Sequence, residues 1–312
     1  MLDPTHAAAV AEAFGLRGAA LLEGPVAAGR QGRIWRLTAG GERLAVKDTA
    51  LALDADRVER EAAYQDRVRA AGVPVPAVVR TVEGRVLADV GGPVRAYAWV
   101  DLLPPERRLD PAEVGELVAR IHRVVVPTDE AVEGWYAAPI GASAWGSLLA
   151  RLRAAGAPFA ERLAEVLPGV LAVEASYAVA SDRQVCHRDL WADNVLRAAD
   201  GGLVVLDWEN CGPGSPSQEL AVPLLEFGLG DPGRMRALSS AYAAAGGPGR
   251  LRGPGDLTML LAQSAHIAQN GCERWLAATT DEDRADNAAW VGEFLDEPSS
   301  PALVASILDA VG

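Results

Sequence analysis

The stretch "VCHRDLWADNVLRAADGGLVVLDWENCGPGSP", residues 185 to 216, constrains this chain more than any other. Two short apolar runs, Val195 to Leu196 and Leu203 to Leu206, flank "AADGG". A polar, glycine-bearing insert between strand-forming residues reads as a hairpin turn. A chain with only four histidines sets His187, Arg188 and Asp189 just ahead of that hairpin, with Asn194 five residues after Asp189 and Asp207 eighteen after it. A loop followed by a tight hairpin can turn Asp189, Asn194 and Asp207 toward one cleft, so the fold has to present this unit on a scaffold that supplies the cleft's other wall.

Two different patterns surround the hairpin. After a short helix at residues 5 to 14, "LLEGPVAAGRQGRIWRLTAGGERLAVKD" alternates apolar and polar residues between glycine-bearing turns, as consecutive antiparallel strands do. Lys47 ends the strand "RLAVK"; "DADRVEREAAYQDRVRAAG" follows as a charged helix closed by Gly72, and "VPVP" forces an extended exit. Two more strands are expected near 77 to 82 and 85 to 89, before "VRAYAWVDLLPP" leaves through a proline pair. From Asp110 the pattern turns helical, with "AEVGELVARIHRV", "SAWGSLLARLRAAG" and "FAERLAEVL", and helices resume near Ser217. The expectation is an α+β chain of two lobes: residues 1–100 an antiparallel β-sheet lobe, and residues 101–312 a mostly helical lobe carrying the loop and hairpin.

Phosphoryl transfer accounts for the polar cluster. The spacing of His187-Arg188-Asp189, Asn194 and Asp207 matches the catalytic loop and metal-binding strand of the protein-kinase signature. That chemistry needs a carboxylate to orient the attacking hydroxyl and accept its proton, here Asp189, and oxygen ligands to hold Mg²⁺ against nucleotide phosphates, here Asn194 and Asp207. The first lobe supplies the remaining cation. Of 29 basic residues, 28 are arginine and one is lysine, Lys47. A chain that writes arginine wherever a positive charge suffices keeps lysine where a compact ammonium is needed, or else retains one surface lysine by chance. At a strand end an ammonium can reach phosphates, and Glu61 on the following helix is placed to hold it. Gly29 and Gly32, in "AAGRQGR", either let backbone amides approach phosphate or simply make a hairpin turn. His187 reads as a hydrogen-bonding residue that holds the loop.

With these residues identified, the chain resembles the aminoglycoside phosphotransferase and choline kinase-like enzymes. The resemblance runs from about residue 20 to about 230 through "LAVK", "REAAYQDRVRAAGVPVP", "VRAYAWVD", "VGELVARIHRV", "CHRDLWADNVL" and "LVVLDWENCGPGSPSQELA". It implies a bilobal protein-kinase-like fold and transfer of phosphate from ATP or GTP to a small-molecule hydroxyl. It implies Asp189 as base, Asn194 and Asp207 as Mg²⁺ ligands, Lys47 as the phosphate lysine with Glu61 as its partner, and a base-contacting segment at Trp99, Val100 and Asp101. The family usually has glycine where Arg188 stands and often histidine where Trp191 stands, which leaves Trp191 as either a substrate wall or a packed aromatic. "GRQGR" also lacks the serine often found in that turn. The short stretch "WENCGPGSPSQ" after Asp207 leaves no room for a peptide platform and disfavours a protein kinase.

The acceptor is expected on the C-terminal helices. In "LTMLLAQSAHIAQNGCERWLAA", Leu257, Leu261, Ala265, Ala268 and Cys272 form an apolar stripe, and Gln263, His266, Asn270 and Glu273 a polar one that is either a ligand face or a seam between helices. Glu209, beside the metal-binding strand, is a further candidate for an acidic pocket. The net charge of −13 disfavours nucleic acid and anionic membrane surfaces and suits a cationic small molecule. No run reaches the length of a membrane span, no leader is evident, and Cys186, Cys211 and Cys272 lack the spacings of a zinc site. These features read as a cytoplasmic enzyme with buried free thiols. The reading is a Mg²⁺-requiring kinase of an aminoglycoside or other antibiotic, an aminosugar or an amino alcohol. The rivals are a nucleotide-binding pseudokinase acting as a regulatory module and, behind it, a protein kinase.

Overall fold

The computed structural model describes residues 1–29, 32–49 and 53–312, which form two compact units. The first comprises Met1–Glu106 and Ala192–Cys211, the second Arg107–Trp191 and Gly212–Gly312.

The first unit opens with helix α1 (Ala7–Ala13) and then strands β1 (Ala20–Gly29), β2 (Gly32–Ala39) and β3 (Glu42–Asp48). Helix α2 (Ala55–Ala70) follows, its first turn capped by Asp54, whose carboxylate accepts from the amides of Asp56 and Arg57. Strands β4 (Val78–Val79), β5 (Ala88–Asp89) and β6 (Pro93–Ala98) complete an antiparallel sheet of order β1-β2-β3-β6-β4, with β5 on β6. The strands expected near 77 to 82 and 85 to 89 are thus only two residues long each. Period-two alternation sends Trp35, Leu37, Leu44, Val46, Val94 and Ala96 into a core closed by Val10, Ala11 and Phe14. The intervening residues Lys47, Arg95 and Tyr97 therefore share the opposite face, and the β3–β6 register sets Lys47 directly across from Arg95. A later hairpin also belongs to this unit: β8 (Val195–Arg197) and β9 (Leu203–Val205), with β7 (Gln184–Cys186) lying in the other unit.

The second unit is mainly helical: α3 (Pro111–His122), α4 (Gly134–Ala137), α5 (Ala142–Ala154), α6 (Ala160–Glu174), α7 (Pro216–Gly228), α8 (Pro232–Ala244), α9 (Thr258–Ala277), α10 (Asp281–Asp296) and α11 (Pro301–Val311). One antiparallel ribbon interrupts it, β7 paired with β10 (Gly212–Gly214). Helix α9 runs through the core: Ala265, Ala268, Cys272 and Trp275 pack with Trp145, Leu152, Leu163 and Phe294. All five residues of the expected apolar stripe on this segment are buried. The three cysteines are buried and free.

Candidate active site

Two elements of the first unit bring its functional side chains together. The β8–β9 ladder pairs Val195 with Val205, and Leu206 N–H donates to Asn194 O at 2.8 Å, so Asn194 and Asp207 leave the same end of the hairpin. Asp207 itself has a left-handed backbone, φ 53°, a conformation that a short polar side chain tolerates better than most. The turn after it is pinned: Trp208 is buried, its Nε1 donates to Val205 O at 3.1 Å, and its ring meets that of Tyr64 edge-on at 5.7 Å.

Lys47 comes to this turn from β3. Its Nζ lies 3.1 Å from Asp207 Oδ1 and 2.9 Å from Glu209 Oε1. Burial alone would drive the ammonium toward its neutral form, but Glu209 and then Asp207 raise its pKa above the ordinary lysine value. Glu61 is not the partner that the sequence suggested. Its Oε1 binds Arg57 Nε at 2.9 Å and its Oε2 binds Arg95 Nη1 at 3.1 Å. The physical reason is the register: Arg95, the cross-strand neighbour of Lys47, reaches Glu61 first with its longer forked group. Burial raises the Glu61 pKa above the ordinary carboxylate value despite both arginines.

The remaining nucleotide candidates also lie in this unit. Gly29 and Gly32 are paired across the β1–β2 turn, and a Cβ on Gly32 would collide with the Asp48 carbonyl oxygen, so close strand approach already requires that glycine. The intervening Arg30 and Gln31 of the expected phosphate loop lie outside the described residues. Trp99 Nε1 donates to Asp101 Oδ1 at 2.8 Å, with the Arg36 guanidinium over the ring at 5.7 Å, while Val100 packs on Leu196, Ala198 and Val204.

The catalytic loop belongs to the second unit. Asp189 is half-buried, and its N–H donates to His187 Nδ1 at 3.2 Å, which gives the histidine a loop-holding contact. Arg188 is fully buried with φ 67°. Its guanidinium lies over Tyr136 at 4.1 Å and reaches Pro213 O and Glu133 Oε1 at 3.3 and 3.4 Å. A Cβ at Gly212 would sit 2.6 Å from Arg188 Nη2, so glycine there makes room for the arginine. Behind the loop, buried Glu219 accepts from Arg188 N–H with one oxygen and contacts His122 Nε2 at 2.7 Å with the other. His122 Nδ1 lies 2.8 Å from Tyr242 Oη, and Tyr242 Oη accepts from Gly249 N–H at 2.8 Å. The sequence reading missed the clamp of Glu219 on the loop. An acidic residue among apolar neighbours in "QELAVPLL" was the available signal.

The expected acceptor residues divide. Gln263 Nε2 donates to Arg188 O at 2.8 Å, tying α9 to the loop. His266 stacks on Trp135 at 5.3 Å and 20°, and its Nε2 contacts Ala138 O at 3.1 Å. Asn270 is half-buried one turn on. Glu273 is held by Arg151 through both carboxylate oxygens at 2.6 and 2.7 Å, so its charge is already matched. Trp191 is half-buried. Trp135, 38% exposed, had not been singled out in the sequence because it stands outside any helical periodicity.

Comparisons with known proteins bear on the family and the fold. The sequence profile of a family described as "Phosphotransferase enzyme family" matches residues 24–254. Among solved structures, a spectinomycin phosphotransferase, APH(9)-Ia, solved with ADP and spectinomycin, superposes with TM-score 0.70 at 12% identity, covering 99% of this chain and 98% of that one. An aminoglycoside phosphotransferase from Alicyclobacillus acidocaldarius gives 0.63 at 17% identity over 99% and 96%. A microcompartment-associated aminopropanol kinase gives 0.60 at 16% over 96% and 99%. At these identities the likeness is one of fold, the bilobal kinase-like α+β architecture. No curated protein matches the sequence.

Proposed function

Because the chain belongs to the phosphotransferase enzyme family, we propose that it transfers the γ-phosphate of ATP or GTP to a hydroxyl of a small, polar, amine-bearing acceptor, with Mg²⁺ at the nucleotide. The observation that carries this reading is the hairpin that sets Asn194 beside Asp207, with the sole lysine on the same aspartate. An amide and a carboxylate oxygen suit a cation that takes one or two protein ligands and fills its shell with phosphate oxygens and water. Asn194 and Asp207 would hold that ion, which supplies charge neutralisation at the phosphates when bound. Lys47 contributes a compact cation for phosphate oxygens. Asp189 orients the acceptor hydroxyl and takes its proton as the new P–O bond forms and the bond to the leaving nucleoside diphosphate breaks. Trp99 to Asp101 would face the base.

For the acceptor, support comes from the stack of Trp135 on His266 and from Asn270 one turn on, both in the middle of α9, which is tied to the loop through Gln263. One fold neighbour is named for aminopropanol, by its name an amine-bearing alcohol, and the net charge of −13 favours such cations. A peptide acceptor is disfavoured by the four residues, 208 to 211, between Asp207 and β10. No described helix is long and apolar enough to cross a membrane, and three free buried thiols suit a reducing compartment; we place the enzyme in the cytoplasm. The test is a coupled nucleotide-turnover screen of aminoglycosides and other antibiotics, aminosugars and amino alcohols. Turnover with one of them should fall by about 10² or more in Asp189→Asn. A variant that turns over like the parent would refute the assignment of the base.

A further inference from the structure

Lys47 and Arg95 face each other across β3 and β6 on the same side of the sheet. Two cations directly opposed in a sheet repel, so this pair persists only with anions set between and around it. Three carboxylates do this. One oxygen, Glu209 Oε1, lies 2.9 Å from Lys47 Nζ and 3.7 Å from Arg95 Nη1. Glu61 bridges Arg95 and Arg57, and Asp207 Oδ1 takes Lys47 Nζ at 3.1 Å. Three cations thus meet three anions, and the four central side chains Lys47, Arg95, Glu61 and Glu209 are 11, 6, 6 and 13% exposed. At that depth the contacts are not diluted by solvent as surface pairs are.

The two carboxylates on Lys47 do not have the same duties. On the reading proposed above, Asp207 is needed by the metal, which leaves Glu209 as the carboxylate still free to hold the ammonium during turnover. Glu209 is itself well supported. The 208–211 turn is fixed on α2 by the Trp208–Tyr64 contact and by the approach of Cys211 Sγ to Glu61 O at 4.0 Å, and Arg95 backs the shared oxygen from the other side. We propose that Glu209 is the positioning residue that anchors the phosphate lysine, and that Arg95 has displaced Glu61 from that role into a supporting one. The anchor then travels on the same turn as the metal aspartate. The orientation of Lys47 follows that turn and does not depend directly on helix α2, whose displacement controls the equivalent ion pair in protein kinases.

This rests on Lys47 serving nucleotide phosphates, and the test separates the two claims. Affinity for Mg²⁺–AMP-PNP is measured by calorimetry on the full chain, so no acceptor need be known. The variants are Glu209→Gln, Glu209→Asp, Glu61→Gln and Lys47→Arg, with Lys47→Arg also combined with each Gln variant; far-UV circular dichroism confirms folding. Glu209→Gln should weaken nucleotide binding about tenfold, and Glu209→Asp should recover part of the loss. The cycle of Glu209→Gln with Lys47→Arg should be non-additive by about tenfold, against about twofold or less for Glu61→Gln with Lys47→Arg. The Mg²⁺ concentration that gives half-maximal binding should stay within about twofold in Glu209→Gln. Stronger coupling of Lys47 to Glu61 overturns the anchor assignment. A rise of about tenfold in the Mg²⁺ requirement overturns it too, by making Glu209 a metal ligand. A parent protein that binds no Mg²⁺–nucleotide removes the underlying phosphotransferase reading and the anchor with it, whereas intact binding without the predicted coupling removes the anchor alone.

Discussion

Removing the Glu219 carboxylate tests the idea that the catalytic loop is held from behind. Four groups form a chain of contacts in the core of the second unit: Gly249 N–H, Tyr242 Oη, the two His122 nitrogens and Glu219, whose second oxygen takes Arg188 N–H. One assignment leaves no proton without an acceptor. Gly249 N–H donates to Tyr242 Oη, Tyr242 O–H to His122 Nδ1, His122 Nε2–H to Glu219 Oε2, and Arg188 N–H to Glu219 Oε1. In Glu219→Ala two fully buried donors lose their acceptor, at about 1–3 kcal/mol each, so the expected loss is roughly 2–6 kcal/mol. In Glu219→Gln the amide oxygen still serves Arg188, but its NH₂ faces His122 Nε2–H. One donor is orphaned, and the loss should be roughly 1–3 kcal/mol. Because Arg188 precedes Asp189, kcat should fall as well, by up to about 10² if the loop shifts by an ångström.

The pH dependence supplies a second readout. Burial pushes the Glu219 pKa up, but His122, His187 and the Arg188 N–H together more than offset this and leave it below its ordinary value of 4.5. A carboxylate with a depressed folded pKa stabilises the fold above its unfolded value and loses that contribution as pH falls through the folded value. The stability gap between parent and Glu219→Gln should therefore be widest above pH 4.5 and narrow below it. Urea unfolding followed by tryptophan fluorescence from neutral pH downward measures both effects. Equal stability of parent and Glu219→Gln, or a pH-independent gap between them, would refute the proton assignment.

Three further outcomes follow from the geometry. Lys47→Arg keeps the charge but widens the group between Asp207 and Glu209, and phosphate transfer should drop by about tenfold or more in initial-rate assays; unchanged kinetics would return Lys47 to a structural role. Gly212→Ala should destabilise the parent, where the new methyl meets the Arg188 guanidinium at 2.6 Å, and should be tolerated in Arg188→Gly, where that group is gone; equal penalties in both backgrounds, read by thermal melting, would disprove the contact. Glu273→Gln should leave the acceptor KM unchanged, because Arg151 already takes both carboxylate oxygens, and a large rise in KM would put the acceptor amine on Glu273 after all.

The hairpin and its polar residues were legible because local chemistry writes them: a turn sequence, a strand on either side, and carboxylate and amide at fixed offsets. The buried stripe on α9 was legible for the same reason, since a helical period of apolar residues has few other uses. What escaped was pairing between distant strands. Nothing in "VRAYAWVD" announces that Arg95 stands across from Lys47, since register depends on turn geometry and the packing of the whole sheet. Glu61 was therefore assigned to the wrong cation: sequence adjacency along "VKD…REAA" carries no information about a third strand.

Arg188 carries the same lesson one step further. Its residue type departs from the glycine that the sequence resemblance leads one to expect, and its φ of 67° lies where glycine is unstrained and an arginine costs about 1–2 kcal/mol. Backbone strain of that kind persists only where surrounding contacts over-determine it. Here they are all within one unit: the Tyr136 ring, Pro213 O, Glu133, Gln263 on the arginine's own carbonyl, Glu219 on its N–H, and a glycine at 212 that clears space for its guanidinium. A buried cation–π contact is worth about 2 kcal/mol or more, enough to offset the strain before the hydrogen bonds are counted. The arginine thus links the catalytic loop to α4, the segment that carries Trp135 onto His266. Arg188 is thus a tie between the loop that carries the proposed base and the surface proposed to hold the acceptor.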